Sequence, residues 1–482
     1  MPADGAFDGE GEVVQALLRM VDGLLSEVRP LRNDQHSNLP APLLSAVAQA
    51  GLFGITIPER YGGSGLTLGA AAACVRAIAE VDRSLATTLG LHLGLGTRGL
   101  VLFGAPTLAD RYLPDLAEGR RIAAFAATEP EAGSDLGALR TRAERWGDGW
   151  CLDGQKIYVT NGGWAGLLTV AAVETTGSPP ALFVLEPSSP GVLIGREERK
   201  LGLRASSTVP ISLEGVLVDS AARLAAPVGA LPILEQVLSA GRTLLGAGCC
   251  GAAATALRLA RAHADQRRQF GRPLIGLEVV GREIALFEAL AAAADALLAV
   301  TCVFAEEPPA LARRSAALKV YSSEVAWAIA DGAIQIHGGL GVMEDTGLPL
   351  LLRDLRVARI FEGANDVLLT RLGAAALTSP VEEAAPYALL RGAVDELKSA
   401  HGARAFLRHG ALHRLGRLWV IAEAGAALER AVQEARGSAT AGHVQIFQAW
   451  ARGQVLRTQE ELVAMEVVEG VLGTKVGRGV PS

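Results

Sequence analysis

Lysine is the scarcest charged residue in this chain. Lys156, Lys200, Lys319, Lys398 and Lys475 stand against 45 basic residues in all. With alanine abundant, that scarcity reads as coding bias rather than function. Acids outnumber bases, 51 to 45, for a formal charge of −6. A nucleic-acid partner calls for the opposite, a strong basic face. Cysteine is equally scarce: Cys74, Cys151, Cys249, Cys250 and Cys302 are odd in number, scattered and without a CxxC pair. They make neither a disulfide framework nor a zinc site, so no metal is expected. The adjacent Cys249 and Cys250 lie in an Ala/Gly-rich apolar stretch and are expected as buried core thiols. Uninterrupted apolar runs of about 18 residues are missing too. The stretch 285–305 comes nearest, broken by Glu288 and Asp295. The acidic N-terminus lacks the basic and apolar regions of a secretory signal. A cytoplasmic protein is expected.

What remains is a globular chain. Its 482 residues are 50% hydrophobic, with 56 Gly and 22 Pro that follow no period, which excludes disorder and fibres. Length alone suggests about three domains. Texture divides the chain into four parts. Residues 1–120 are mostly of helical spacing, as in Leu43-Leu44-Val47-Ala48 leading to Leu52. Residues 121–226 read as short strands: 140–146, a Gly147-Asp148-Gly149 turn, 150–152, then 168–174, 181–186, 192–195 and 209–218. Residues 227–378 return to long Ala/Leu helices, and 379–482 form a further helical extension. Helix, sheet, helix in this order is an α+β multidomain chain, not alternating βαβ units. Gly94-Leu95-Gly96-Thr97-Arg98-Gly99 matches GxGxxG but follows a helical stretch, so its glycines are expected between closely packed helices rather than on a dinucleotide.

Four islands join glycine to hydrogen-bonding groups. Thr128-Glu129-Pro130-Glu131-Ala132-Gly133-Ser134-Asp135 offers backbone N–H groups to an anion or ring carbonyl, or is a plain surface loop. Tyr158-Val159-Thr160-Asn161-Gly162-Gly163 places an aromatic and a hydroxyl at a strand end, suited to a flat ring or simply a strand terminus. Arg267-Arg268-Gln269-Phe270-Gly271-Arg272-Pro273 suits a diphosphate through its guanidinium forks, with a solvated helix end as the alternative. In Phe361-Glu362-Gly363-Ala364-Asn365-Asp366, a lone carboxylate between Phe361 and Gly363 is partly desolvated, which raises its pKa and suits a general base, although a surface acid fits the bare pattern. HExxH and GxSxG motifs are missing, which leaves hydrolase and metalloenzyme readings without support.

Taken in order, these islands resemble the acyl-CoA dehydrogenase family. The resemblance runs from about Leu43 to Ala375. It is carried by Pro58-Glu59-Arg60-Tyr61-Gly62-Gly63, Thr128-Glu129-Pro130, Gly133-Ser134-Asp135, Asp153-Gly154-Gln155-Lys156, Asn161-Gly162-Gly163, Gln269-Phe270-Gly271, Gln335-Ile336-His337-Gly338-Gly339, Arg353-Asp354 and Phe361-Glu362-Gly363. Leu89-Gly90-Leu91-His92, Leu102-Phe103-Gly104 and the extension resemble its very-long-chain branch. The resemblance implies an N-terminal helical domain, a central β-barrel-like domain and a C-terminal four-helix bundle. It implies FAD held by Phe125, Ala127, Thr128, Gly133, Ser134, Tyr158, Thr160, Arg267, Phe270, Gln335, Gly338, Gly339 and Asn365, in part across a homodimer boundary. Ser134, Ser239, Arg242, Phe361 and Gly363 would contact substrate, and Glu362 would be the catalytic base.

The implied reaction is α,β-desaturation of an acyl-CoA to a trans-2-enoyl thioester, with electrons passed to an electron-transferring flavoprotein. Three positions depart from the family pattern: Tyr158 stands for Trp, Ala364 for Thr, and Ser239 for Asp or Asn on the CoA arm. The last leaves room for an acyl-carrier-protein thioester. An oxidase or monooxygenase, or a non-catalytic flavoprotein scaffold, are the other readings of the same fold. Membrane contact by the Arg-rich helices of the extension is not expected.

Overall fold

The computed structural model describes residues 11–454, apart from residue 27 and the segments 175–177, 226–228 and 381–384. The acidic first ten residues, Lys475 and the Gly-rich tail lie outside them, as does the Arg404 side chain of the Arg-rich stretch. Helices, a β-layer and more helices follow one another as the texture suggested.

The first helices include Leu68–Ala79 and Arg83–Leu91. Thr67 caps the former by accepting from Ala70 N–H, and Asp82 caps the latter by accepting from Leu85 N–H at 3.0 Å. Such side chains satisfy donors that a helix start leaves open. The run Ala70–Ala73 is buried, so this helix meets its neighbours at close range. The GxGxxG glycines also mark close approaches, although only in part between helices: Gly94 faces the helix that carries Gly241, whereas Gly96 meets Ala123 of a strand and Gly99 first meets Leu224, outside any helix. A Cβ on Gly94 would lie 2.9 Å from Gly241 Cα, one on Gly96 2.6 Å from Ala123 Cβ, and one on Gly99 2.8 Å from Leu224 Cδ1.

Seven strands follow: β1 (Ile122–Ala126), β2 (Arg142–Trp146), β3 (Gly149–Thr160), β4 (Ala165–Ala172), β5 (Ala181–Leu185), β6 (Val192–Ile194) and β7 (Thr208–Val218). They form two sheets, β1-β4-β5 and β2-β3-β7-β6. Between the sheets lie Trp150, Leu152, Phe183, Val209, Ile211 and Leu213, with Trp150 edge-on to Phe183 at 5.3 Å. The strand expected over 150–152 continues to Thr160, its pairing with β7 interrupted by a bulge between Lys156 and Val159.

The second helical unit is built on Ala230–Gln266, Glu278–Val303, Pro308–His337 and Asn365–Thr378. The first two are long and apolar enough, by composition, to cross a membrane. Here they pack as bundle helices, and 72% and 44% of their most apolar windows are buried. Ala388–His401 and His409–Gln433 continue the chain, with helical backbone again over 441–454. A Cβ on Gly373 would meet Leu412 O at 1.8 Å, and one on Gly416 would meet Leu369 O at 1.9 Å. The extension is thus joined backbone to backbone with Asn365–Thr378.

Candidate active site

Glu362 sits on the turn that leads into Asn365–Thr378. Its φ is +57°, and that of Gly363 is +100°. A left-handed backbone at a non-glycine residue is uncommon and persists only where surrounding contacts hold it. The contacts are visible. Arg242, buried on Ala230–Gln266, donates Nε to the Glu362 carbonyl at 3.0 Å. Lys319, fully buried on Pro308–His337, donates Nζ to the Gly363 carbonyl and to Asn365 Oδ1, each at 2.7 Å. Asn365 in turn donates to Ser323 Oγ at 3.0 Å and to Glu324 Oε1 at 2.6 Å. Two helices therefore grip the turn by its backbone.

The carboxylate itself is left alone. Glu362 Oε2 is shut from solvent and has no hydrogen-bond partner among the described residues, although the residue as a whole keeps a partly open face. Burial pushes its pKa up to about 7, against the opposing pull of the Arg242 and Lys319 charges. Burial likewise lowers Lys319 to about 8 and Arg242 to about 10. An orphaned buried oxygen costs free energy unless something else uses it.

Space for the carboxylate comes from a missing side chain. A Cβ on Gly241 would lie 2.7 Å from Glu362 Oε2 and 2.5 Å from Leu95 Cδ2. Beside it runs a narrow cavity of about 20 Å³ lined by Glu362, Phe361, Gly241, Gly90, Leu244 and, at its far end, Arg83. Ala86 lines it as well.

The β-layer brings the first two islands together. Ile157 N–H donates to Thr128 O at 2.9 Å, tying the loop after β1 to β3. The bulge throws Tyr158 outward with φ +56°, leaving its ring 63% exposed; re-aiming a side chain is what such bulges do. Phe125, Ala127, Thr128 and Thr160 are half-buried, and Gly133 and Ser134 are exposed on the loop. Nothing but Thr128 Cγ2 comes within 4 Å of a Cβ placed on Gly133. An open aromatic, a hydroxyl and an uncrowded glycine loop fit a flat ring. Beneath them Glu129 and Lys156 form a fully buried ion pair at 2.7 Å.

Arg267, Phe270, Gln335, Gly338 and Gly339 gather elsewhere. Ala230–Gln266 ends in a two-residue hairpin turn with Phe270 at φ +51° and Gly271 at φ +78°, which leaves Phe270 86% exposed. His263 stacks on His337 at 4.2 Å, so the ends carrying Arg267 and Gln335 adjoin. From Gly241 to Arg267 the helix rises about 39 Å at 1.5 Å per residue. This cluster is therefore far from the Glu362 of its own chain. Ser239 is buried and donates Oγ to Glu235 O at 2.6 Å. Lys319 and Arg83, which sequence reasoning did not single out, complete the surroundings of Glu362; a lysine inside an Ala/Leu helix was the available signal for the first.

This fold and site define a flavoprotein of the acyl-CoA dehydrogenase type. Three models match in succession: acyl-CoA dehydrogenase N-terminal domain over residues 12–120, middle domain over 124–216 and C-terminal domain over 230–377. The Homo sapiens mitochondrial very long-chain specific acyl-CoA dehydrogenase is 32% identical over 370 residues, covering 74% of this chain and 56% of that protein. An acyl-CoA dehydrogenase of Bacillus subtilis (strain 168) is 32% identical over 337 residues, covering 69% of this chain and 89% of that protein. An acyl-CoA dehydrogenase complexed with FAD from Bacillus anthracis superposes with a TM-score of 0.80 at 25% identity, over 97% of this chain and 92% of that one. Butyryl-CoA dehydrogenase from Megasphaera elsdenii gives 0.72 at 28% identity, over 76% and 98%.

The chain belongs to the acyl-CoA dehydrogenase family, whose cofactor is FAD, as the motif resemblance implied. The matched stretch spans just over half the length of the very long-chain relatives, while the match to the Bacillus anthracis structure extends through the helical extension.

Proposed function

We propose that this protein desaturates an acyl thioester between Cα and Cβ with Glu362 as the base. The observation that carries the reading is the orphaned Glu362 Oε2, aimed along a cavity and held with a pKa about 7. A general base works best with a pKa near the operating pH. Thioester α-protons are weakly acidic, so the base must be positioned and desolvated rather than merely present. Arg242 and Lys319 do the positioning through the backbone of the turn, which leaves both carboxylate oxygens free of strong donors.

FAD would supply the acceptor for the hydride that leaves Cβ. Phe125, Ala127, Thr128, Gly133, Ser134, Tyr158 and Thr160 are the residues that would hold its ring. Arg267, Phe270, Gln335, Gly338 and Gly339 would hold its diphosphate and adenine end. The helix length between Glu362 and Arg267 supports a second copy of this chain as the source of that end, and hence a homodimer. The exposed Phe270, Leu340, Val342 and Met343 supply an apolar rim for such a contact. Asn365 acts here through Lys319 rather than on the ring. Electrons would pass onward to an electron-transferring flavoprotein, and a cytoplasmic location accompanies this reading.

The test is an anaerobic titration of purified holoprotein with saturated acyl-CoAs of graded length, following the flavin absorbance. Bleaching by the wild type and not by Glu362→Gln supports the assignment. Equal bleaching by both variants removes Glu362 from the reaction.

A further inference from the structure

A second and much larger cavity, of about 610 Å³, lies where the extension covers the helical core. It shares no residue with the Glu362 cavity. Three core helices wall it: Leu68–Ala79, Ala230–Gln266 and Glu278–Val303. The end of His409–Gln433 and the turn that follows close it. Its volume falls within the range of about 300–1,000 Å³ typical of small-molecule sites. Protein interiors keep few voids larger than a water, and unfilled ones cost stability. Yet Ala72, Ala73, Ala292, Ala296 and Ala427 stand along this one, where leucines would close it.

The polar part of the lining is basic. Arg76, Arg258, Arg261, Arg430 and Arg436 face the cavity, against three acids. Those acids are all engaged. Asp295 accepts two bonds from Arg76 at 2.8 and 2.9 Å, Glu288 accepts from Arg261 at 2.6 Å, and Glu434 accepts from Arg430 at 3.0 Å. Five arginines against three acids leave two positive charges in excess. Arg258, one turn before Arg261 on the same helix, is exposed and has no acid bonded to it among the described residues. His443 also lines the cavity, and its Nδ1 is shut from solvent without a hydrogen-bond partner among those residues. Beyond Asp295, the wall turns apolar through Ala296, Leu298, Ala299 and Val300.

We propose that this cavity binds one long-chain carboxylate per chain, at a site separate from the Glu362 cavity. A hydrocarbon would leave Arg258 unmatched, and a small anion would leave the alanine walls unfilled. A single-chain amphiphile with an anionic head answers both, since arginine forks match carboxylate oxygens. From Glu288 to Cys302 the wall helix rises about 21 Å at 1.5 Å per residue. An extended chain advances about 1.2 Å per bond, so about seventeen bonds span that wall. Chains of about twelve to sixteen carbons fit. Ala427 and Arg430 belong to the extension and the remaining helices to the core, so the bound chain ties one to the other. A free carboxylate is no thioester, and this inference stands apart from the desaturation reading.

The experiment is calorimetric titration of the full-length holoprotein with dodecanoate, tetradecanoate and hexadecanoate below their micellar concentrations. Tetradecyltrimethylammonium is the cationic control. One saturable site per chain is expected, with affinity rising about fourfold per added CH₂ and the cation bound at least tenfold more weakly. Arg258→Glu should weaken the carboxylates about tenfold, and Ala296→Phe should abolish their binding. Both variants should retain wild-type flavin content. The absence of saturable binding to the full chain overturns the proposal, as does equal affinity in Ala296→Phe and the wild type. Displacement of the carboxylate by an enoyl-CoA overturns it too, because the chain would then sit beside Glu362. If Ala296→Phe does not fold, an unchanged affinity in Arg258→Glu decides against the site. Failure of acyl-CoAs to bleach the flavin, with carboxylate binding intact, would strike the proposed desaturation alone.

Discussion

Glu129 in the β-layer and Glu362 in the helical unit are both carboxylates drawn away from bulk water, and their surroundings treat them oppositely. Glu129 is surrounded by donors: Lys156 Nζ at 2.7 Å, Arg140 N–H at 2.6 Å and Thr141 N–H at 2.9 Å. Burial alone would raise its pKa, but the bonds from Lys156, Thr141 and Arg140 more than offset this and leave it below the ordinary carboxylate range. Glu362 has two cations near it, yet they bond to the carbonyls of its turn, and its own Oε2 is orphaned. A carboxylate with all its bonds made is a fastener. One whose backbone is clamped while its oxygens are left open is available to do chemistry.

The sharpest way to break that comparison is to neutralise each acid in turn. Glu362→Gln should lower the rate of flavin reduction by acyl-CoA about 10²–10⁴-fold, the usual worth of a positioned base, with unfolding midpoints unchanged or higher. Stopped-flow reduction and a denaturant melt on one preparation measure both. Glu129→Gln should behave in reverse. It strands the buried Lys156 charge and should cost about 3–5 kcal/mol in denaturant unfolding, while any folded fraction still reduces its flavin.

The pH dependence of stability gives a third contrast. Glu362 titrates at about 7 in the folded chain against an ordinary 4.5. Its stabilising contribution is complete below 4.5 and is lost as pH rises through 7, amounting to about 3 kcal/mol. The Glu129 value is depressed, so its contribution is present above the unfolded value and disappears on acidification. Melts from about pH 2 to pH 8 of the two Gln variants should flatten opposite limbs of the wild-type curve, Glu129→Gln the limb below about 4.5 and Glu362→Gln the limb between about 4.5 and 7, and a shared limb would refute the contrast. The smallest effect concerns the rate profile. Flavin reduction should rise through about pH 7 to a plateau, and Lys319→Met should move that midpoint alkaline by about one pH unit. A midpoint that stays put would leave Lys319 only its tether to Gly363 and Asn365.

Much of the architecture was legible because period and punctuation carry it: the Ala/Leu runs became helices, and the Gly147-Asp148-Gly149 turn fell between β2 and β3. The length of β3 was harder to read. Asp153-Gly154-Gln155-Lys156 looks like a chain break, yet Gly154 (φ +153°) passes so close to Thr141 that a Cβ would lie 2.4 Å from Thr141 Oγ1. The strand also continues because Lys156 has Glu129 to meet below it. Glu362 could be picked out by its motif. That its oxygen would be orphaned could not, since the condition depends on Gly241, Arg242 and Lys319, brought to it from helices far off in the chain. Arg83 was invisible for a related reason. After an N-capping Asp82 it reads as an ordinary first-turn charge, and only folding reveals it as buried.

The left-handed turn at position 362 has a consequence for how this chain can be improved. Glycine is at ease at φ +57°, whereas glutamate there stores on the order of 1–3 kcal/mol of backbone strain, to which the unpaired oxygen adds. Glu362→Gly relieves both at once. Directed evolution scored by heat tolerance alone would therefore drift toward chains that outlast their parent and have lost the base.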